Sequence, residues 1–206
     1  MADIKIDSEF NYRAKKVIQR FPNRALDLLH CFSPSQEKSK RWLINNLKKH
    51  IGHNKILEIA ILGSWYGYTA YLLKDMLSDK LITEIRCYDI DDTAKKIGRM
   101  MFKDKTFIFQ TQDISTMNFQ EYKYNTIINT SCEHMSDDVI HNWLFTARSK
   151  TTCVLQSTNK PARDHCNTVE SMKEFKDKFV EHFEEFSYSE KDFGNYSRFM
   201  LIGNKK

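Results

Sequence analysis

Two short segments of the sequence contain most of the side chains that could bind or move a proton. The first, "NTSCEHM", contains Glu133 and His134, and the second, "LQSTNKPARDHCN", contains His165. Histidine changes charge near neutral pH, and a carboxylate can accept a proton from a substrate. We therefore predict that these three residues are catalytic. The other polar side chains of the two segments that we expect to contact a substrate are Ser131, Gln156, Asn159 and Asn167.

Some of these residues also have purely structural explanations. Asn167 followed by Glu170 is a typical N-terminal capping pair for the helix that comes next in the sequence. Glu133 and His134 could simply precede a helix that Ser136 caps. Both explanations stay open at this level.

The pattern of strands and helices after residue 55 predicts how these segments are positioned. Apolar runs of strand length alternate with helical segments from "KILEIAIL" to "TTCVLQS". Alternation at this spacing indicates right-handed crossovers and a parallel sheet that is buried on both faces. The last two strands, "EFSYSEK" and "RFMLIGN", are separated only by "DFGNYS", which is short enough for an antiparallel hairpin. We predict an α/β fold, a doubly wound, mostly parallel sheet with a C-terminal antiparallel hairpin strand.

The N-terminal part of the chain has a helical pattern instead. The segment "SPSQEKSKRWLINNLKKHIG" begins with Ser33 as a helix N-cap and Pro34 at the first helical position, and it ends at Gly52. Gln36 is expected to complete a capping box with Ser33. A shorter helix, capped by Asn23, is predicted before it. Helices therefore precede the sheet.

The length and composition favour a single domain over residues 1–206. With 41% hydrophobic residues, the chain can bury one good core. We divide it into an N-terminal helical lid or extension, residues 1–52, and a Rossmann-like cofactor-binding core, residues 53–206. If the lid faces the site, Lys40 is placed to bind a carboxylate of the substrate.

A sheet of this kind binds ligands at the carboxyl ends of its strands. Gly63 and Gly67 follow the first predicted strand, where glycine lets the backbone approach a ligand and a helix N-terminus offers free N–H groups. Asp89 ends the second strand, 22 residues after Gly67. This is close to the ~20-residue interval expected for a carboxylate that binds the hydroxyls of a ribose. The sequence therefore predicts a nucleoside site.

Four segments and the closing hairpin resemble the class I S-adenosylmethionine-dependent methyltransferases. "ILEIAILGSWYG" is similar to the first motif, with Glu58 as its acid and Ala60 where the family usually has a glycine. "CYDID" is similar to the second motif, at the ribose, and "FQTQDIST" to the third, near the adenine. "YNTIINTSCEH" is similar to the fourth, on the strand that faces the methyl donor. The resemblance implies S-adenosyl-L-methionine as cofactor, bound by Glu58, Ala60, Gly63, Tyr66, Asp89, Ile90, Gln112, Asp113 and Asn129.

Cysteine usage and hydropathy indicate the compartment. The five cysteines are scattered and include no Cys-x-x-Cys pair, so we predict free thiols, a reducing compartment and no metal site. No segment reaches the ~18 apolar residues of a membrane span, and the first residues lack the apolar core of a signal peptide. We expect a cytoplasmic protein with no membrane partner.

The charge distribution and the fourth motif favour a small-molecule substrate. The net charge of +5 is modest, and lysines are interspersed with acids rather than gathered in a basic stripe. Amino-group DNA and RNA methyltransferases typically have Asn or Asp, two prolines and an aromatic residue in the fourth motif, where this chain has "NTSC". The base C5 enzymes use a cysteine that follows proline, whereas Cys132 follows Ser131. Nucleic acid is therefore not favoured, and a flipped base stays an alternative.

Three functions remain open at the sequence level. The first is a small-molecule methyltransferase with Glu133 and His134 as candidate general bases. The second is an enzyme that binds the same cofactor but cleaves or transfers its aminocarboxypropyl arm, in lyase or nicotianamine-synthase-like chemistry. The third is a non-catalytic nucleotide-binding module.

Overall fold

The computed structural model describes residues 8–52, 56–77 and 82–206, and a seven-stranded sheet forms its centre. The predicted first residue of the first strand, Lys55, lies outside these ranges, as do residues 53–55 at the predicted boundary of the lid. The strands are β1 (Leu57–Leu62), β2 (Ile82–Asp89), β3 (Phe107–Thr111), β4 (Thr126–Asn129), β5 (Thr152–Thr158), β6 (Phe183–Asp192) and β7 (Ser197–Lys205).

The strand order is β3-β2-β1-β4-β5-β7-β6. The strands β1 to β5 pair in parallel, whereas β7 is antiparallel to both of its neighbours, β5 and β6. The connection between β6 and β7 is closed by a hydrogen bond from Phe193 N to Tyr196 O at 2.9 Å. This arrangement confirms the predicted doubly wound, mostly parallel sheet with a C-terminal antiparallel hairpin strand.

Seven α-helices accompany the sheet in the described part of the chain. The first three precede β1, three more alternate with the parallel strands, and the last leads into the hairpin. They are α1 (Ser8–Arg20), α2 (Ala25–Cys31), α3 (Pro34–Ile51), α4 (Tyr68–Met76), α5 (Asp92–Met101), α6 (Asp137–Thr146) and α7 (Met172–Phe179).

The start of α3 agrees with its sequence signals, whereas two predicted caps are wrong. Ser33 is the N-cap residue and Pro34 the first helical residue, as predicted. Gln36 was expected to complete a capping box, but its side-chain oxygen accepts a hydrogen bond from Lys40 Nζ at 2.5 Å. Asn23 lies inside a 3₁₀ turn, and α2 begins only at Ala25. The N-cap position of α2 is therefore occupied by Arg24, which makes no side-chain capping hydrogen bond.

The two faces of the sheet are covered by different helices. The buried residues Ile59 and Ile61 of β1 belong to one apolar cluster, which also contains residues of α1 to α5. Ala60 and Leu62 belong to the second cluster, with residues of α6 and α7. Alternate residues of a strand point to opposite faces, so a continuous apolar run is required for a strand that is covered twice. Within the described ranges, no helix has the length and apolar composition needed to cross a membrane.

Gly67 joins the loop after β1 to α4 in a conformation and a space that only glycine suits. Its φ is 84°, and a Cβ at this position would lie 2.5 Å from Cε1 of Phe109. We expect Gly67→Ala to lower the free energy of unfolding by about 1–2 kcal/mol for the left-handed backbone and by about 1–3 kcal/mol more for overpacking. Chemical denaturation measures the sum.

The matched control is Gly194→Ala. Gly194 has a similar φ of 89°, but a Cβ there would meet no atom within 4 Å. This variant should therefore lose only the backbone contribution. If the free energy of unfolding fell equally in the two variants, Phe109 would move aside at little cost, and packing would not be the reason for glycine at position 67.

Candidate functional site

A cavity of about 750 Å³ lies at the carboxyl ends of the parallel strands. The loops that follow β1 to β5 line one side of it, because the carboxyl ends of parallel strands lie at the same edge of a sheet. The N-terminal helices, which we predicted to form a lid, line the other side with Asp27, His30, Cys31, Ser35, Gln36 and Lys40. The cavity is therefore bounded by both parts of the chain.

The loop between β1 and α4 is fixed against the end of β2. Gly63 has a φ of 60°, Trp65 a φ of 50° and Gly67 a φ of 84°, so three of its residues are left-handed. The backbone N–H of Ser64 donates to Tyr88 O at 2.8 Å, and that of Trp65 donates to Asp89 Oδ2 at 2.7 Å. A left-handed conformation in a residue other than glycine costs about 1–3 kcal/mol and persists only where its surroundings hold it. These two hydrogen bonds hold the loop as one wall of the cavity.

The carboxylate of Asp89 combines a structural role with unused binding capacity. Its Oδ2 accepts the Trp65 N–H, and its Oδ1 accepts the N–H of Asp91 at 3.0 Å. Burial raises the pKa of this carboxyl group, while the two N–H groups act against the increase. A carboxylate offers about four acceptor positions. Asp89 also lines the cavity, so it can accept further hydrogen bonds from a ligand.

An apolar surface and two polar residues lie next to Asp89. Ile90 lines the cavity and is 72% exposed, which is high for a branched apolar side chain. Gln112 N donates to Asp89 O at 2.8 Å and so holds the loop after β3 beside the end of β2. Asp113 also lines the cavity, and hydrogen bonds from Ser115 lower the pKa of its carboxyl group. The arrangement fits a flat, partly apolar ring with polar edges.

The three predicted catalytic residues lie together at the other end of the cavity. Glu133 and His134 are in a 3₁₀ turn that follows β4, and the N–H of Cys166 donates to Glu133 O at 2.9 Å. This bond brings the loop after β5 against the turn. The rings of His134 and His165 are 4.7 Å apart in an edge-to-face arrangement. We name Glu133, His134 and His165 the Glu-His-His cluster.

Two buried cations accompany the Glu-His-His cluster. Arg198 Nη2 donates to Glu133 Oε1 at 2.9 Å, and both side chains are buried. Burial, together with the nearby Arg198, lowers the pKa of Lys40 to about 8, although the charge of Glu133 acts in the opposite direction. Lys40 and Arg198 both line the cavity. Two cations and one carboxylate therefore leave this end of the cavity with an excess of positive charge.

Four residues predicted to contact the cofactor do not line the cavity, three of them in the first motif and one in the fourth. Glu58 is the second residue of β1, at the amino end of the strand, whereas the cavity is at the carboxyl end. Ala60 is completely buried within the strand, and Tyr66 is completely buried beneath the loop. Asn129 Oδ1 accepts the N–H of Ser131 at 2.9 Å and so shapes the turn after β4.

Some of the residues predicted to contact the substrate line the cavity, whereas others are buried or hydrogen-bonded behind its walls. Ser131 lines the cavity, and its hydroxyl donates to Gly63 O at 3.2 Å. Gln156 is completely buried below the cavity, and Asn159 Oδ1 accepts the N–H of Ser197 at 2.7 Å at the start of β7. Of these predicted substrate residues, Ser131 and Lys40 are the ones that line the cavity.

Asn167 neither lines the cavity nor caps a helix. Its Nδ2 donates to Met135 O at 2.9 Å and to Asp137 Oδ1 at 2.8 Å, so it ties the loop after β5 to the start of α6. The cap of α7 is Ser171, whose hydroxyl accepts the N–H of Glu174 at 3.2 Å. The predicted capping pair of Asn167 and Glu170 is therefore wrong.

Trp65 and Arg198 line the cavity but were not among the predicted site residues. The signal for Trp65 was its position between the two glycines of the loop after β1. Arg198 has a weaker signal, a single cation at the start of an otherwise apolar strand, "RFMLIGN". Its partner Glu133 is 65 positions away in the sequence, and local patterns do not show such a pairing.

No family model and no curated protein matches this chain in sequence. Solved structures match it in fold. The N-methyltransferase NodS from Bradyrhizobium japonicum WM9, in complex with S-adenosyl-L-homocysteine, superimposes with a TM-score of 0.66 at 11% identity, over 97% of this chain and 100% of that one. Magnesium protoporphyrin IX methyltransferase (ChlM) from Synechocystis PCC 6803, with bound SAM, superimposes with a TM-score of 0.62 at 13% identity, over 99% of this chain and 100% of that one.

A third similar structure is a mutant of MtNAS in complex with S-adenosylmethionine. Its TM-score is 0.59 at 11% identity, over 96% of this chain and 72% of that one. TM-scores of 0.59 to 0.66 show a common fold, and at 11–13% identity the likeness extends to the fold alone. The chain has the class I S-adenosylmethionine-dependent methyltransferase fold, as its sequence motifs predicted.

Proposed function

We propose that this protein is an S-adenosylmethionine-dependent methyltransferase that acts on a small molecule. The observation that carries the proposal is the cavity at the carboxyl ends of the strands, where Asp89, Ile90 and the loop from Gly63 to Trp65 form one continuous wall. The fold supports it, because neighbours of this fold contain S-adenosylmethionine or S-adenosylhomocysteine. The proposed location is the cytoplasm.

The wall offers a different contact to each part of the cofactor. The free acceptor positions of Asp89 receive the two ribose hydroxyls. Ile90 packs against the adenine ring, and Gln112 and Asp113 bind its polar edge. The loop containing Gly63 lies along the methionine part, where its backbone can approach closely because Gly63 carries no side chain. The methyl group then faces the turn after β4.

The acceptor substrate occupies the end of the cavity that contains the Glu-His-His cluster. Lys40 and Arg198 add two buried positive charges to one carboxylate there, so the acceptor carries an acidic group that balances them. The walls contributed by α2 and α3 favour a small molecule over a polymer. The proposal keeps the role predicted for Lys40, which is to bind a carboxylate of the substrate.

Methyl transfer requires an acceptor atom in line with the sulfonium methyl group and the removal of any proton on that atom. The methyl carbon forms a bond to the acceptor, and its bond to sulfur breaks with both electrons remaining on sulfur. Glu133, His134 and His165 line the end of the cavity where we place the acceptor. We assign the removal of this proton to the Glu-His-His cluster.

Isothermal titration calorimetry with three ligands tests the proposed cofactor. We expect S-adenosylmethionine and S-adenosylhomocysteine to bind with one site per chain and NADH to show no heat of binding. Binding of NADH alone would instead indicate a nicotinamide-type nucleotide-binding module and would contradict the proposal.

The second candidate is transfer or elimination of the aminocarboxypropyl arm of the same cofactor. The likeness to MtNAS, which was crystallised with S-adenosylmethionine, favours keeping it as the alternative. Both reactions share the cofactor, so the bond that breaks distinguishes them.

A further inference from the structure

We infer that the Glu-His-His cluster binds one divalent transition-metal ion at the acceptor end of the cavity. Metal binding by Glu133, His134 and His165 is independent of the proposed function, whereas the role of the ion in methyl transfer rests on it. Three sets of observations carry the inference: the spacing of the ligand atoms, the orientation of the two imidazoles and the hydrogen bonding of the carboxylate.

The three side chains are close enough to share one ion. Each offers one ligand atom, and these atoms all lie within 4.8 Å of one another. Bonds of about 2.1 Å to a tetrahedral or octahedral ion place neighbouring ligand atoms about 3–3.5 Å apart. The remaining approach requires small movements of the two histidines together with the segments that hold them, the 3₁₀ turn of His134 and the loop of His165.

Each histidine has one ring nitrogen held by a backbone oxygen, as metal-binding histidines typically do. His134 Nδ1 lies 3.0 Å from the backbone oxygen of Asp164, and His165 Nδ1 lies 2.7 Å from that of Lys160. A carbonyl oxygen only accepts hydrogen bonds, so each Nδ1 donates its proton. Nε2 is then the nitrogen of each ring that is left to bind an ion.

The carboxylate of Glu133 has one oxygen engaged and one free. Its Oε1 accepts from Arg198 in a buried ion pair. Its Oε2 is buried and has no hydrogen-bond partner among the described residues, and the side chain as a whole is only 2% exposed. A buried carboxylate oxygen without a partner is costly, and a bound cation removes that cost.

A second group of similar composition does not meet these conditions. His141, Glu181 and His182 also lie within ligand distance of one another, but they are outside the cavity lining. His141 Nδ1 and His182 Nε2 are 2.8 Å apart and hydrogen-bond to each other, which uses one nitrogen of each ring. Glu181 is exposed to solvent. This group provides a matched control.

Two imidazoles and one carboxylate suit Zn²⁺, Fe²⁺, Co²⁺ or Mn²⁺ and leave coordination positions open. The open positions face the cavity, where an oxygen of the acceptor can bind. In this inference the cluster assists removal of the acceptor proton through the ion. A divalent ion lowers the pKa of a bound hydroxyl group, the proton passes to solvent, and the oxygen attacks the methyl carbon. The C–S bond breaks with its electrons on sulfur, and the oxidation state of the metal does not change. The inferred acceptor therefore carries a hydroxyl or enol oxygen near its acidic group.

Metal titration of chelator-treated, full-length protein tests this site. We expect Co²⁺ to give one visible-absorption change per chain and Zn²⁺ to compete with it. His134→Ala and His165→Ala should each weaken Co²⁺ binding by at least about 100-fold, because the loss of a ligand exceeds the 10–100-fold loss from a group that only orients one. Both histidines are at least partly exposed, so neither variant should unfold.

His141→Ala is the control, and it should bind Co²⁺ like the unmodified protein. The inference is overturned if His134→Ala and His165→Ala retain the Co²⁺ spectrum, or if His141→Ala loses it. Calorimetry with S-adenosylmethionine on the chelator-treated protein separates the two claims. Cofactor binding without Co²⁺ binding would overturn the metal site and leave the proposed function standing.

Discussion

Asp89→Ala is expected to weaken S-adenosylmethionine binding by about 10–150-fold. The hydrogen bonds from two ribose hydroxyls to a charged acceptor are together expected to contribute about 1.5–3 kcal/mol, and each 1.4 kcal/mol is about tenfold in affinity. The side chain also accepts the N–H groups of Trp65 and Asp91, so its removal loosens the loop after β1 as well. Isothermal titration calorimetry measures the change, and a thermal melt shows whether the fold is retained.

Two further variants separate the ribose contact from the structural role of Asp89. Asp89→Asn keeps one of the two acceptor oxygens that support the loop and removes the charge, so it should bind the cofactor more weakly than the unmodified protein and better than Asp89→Ala. Asp113→Ala removes a carboxylate that is exposed and bonded to Ser115, and it should change affinity less than Asp89→Ala. Unchanged cofactor affinity in Asp89→Ala would remove Asp89 from the site.

His165→Ala is expected to lower the methyl-transfer rate by about 100-fold or more with little change in cofactor affinity. A positioned group that takes part in proton removal typically contributes about 10²–10⁴-fold. His165 lies beside His134 at the acceptor end of the cavity, whereas Asp89 is at the ribose end. Transfer of a labelled methyl group to small acidic acceptors measures the rate, and calorimetry measures the affinity.

The double variant His134→Ala/His165→Ala should be little slower than either single variant, because residues that act as one unit are not additive. His50→Ala is the control, since His50 lies outside the cavity lining and contacts Asn204 at 3.2 Å. Full turnover in both single variants would show that neither the cluster nor an ion bound to it assists removal of the proton, and Glu133 and His134 would then only form the turn before α6.

The order of elements and the hairpin were predictable because they depend on local patterns. Strand-length apolar runs, helix caps such as Ser33 and the short connection before β7 each appear within a few residues of sequence. The carboxyl end of β1 was also predictable, because the apolar run "KILEIAIL" ends at Leu62, which is the last residue of the strand. The residues of the first motif that reach the cavity were not predictable, because hydropathy does not show which residues of a strand buried on both faces lie near a ligand. Glu58 and Ala60 lie inside the strand, whereas the cavity lining begins at Gly63.

The site was predictable where its residues follow strand ends and not where they meet across the fold. Asp89, Ile90, Gln112 and Glu133 lie at the ends of predicted strands or within a few residues after them, and they line the cavity. The pairing of Glu133 with Arg198 depends on β7 lying beside β5, which no local pattern shows. The polar residues Asn159 and Asn167 follow β5 as well, but they form hydrogen bonds that shape the loop. Spacing in the sequence alone does not show whether the side-chain amide of an asparagine supports a loop or binds a ligand.

The nucleoside that the protein produces from S-adenosylmethionine tests the central claim most directly. The protein is incubated with S-adenosylmethionine and small acidic acceptors that carry a hydroxyl group, and the mixture is analysed by mass spectrometry. We predict S-adenosylhomocysteine, together with an equal amount of a methylated acceptor. Methylthioadenosine, formed when the aminocarboxypropyl arm leaves, would contradict the assignment as a methyltransferase while keeping the cofactor site.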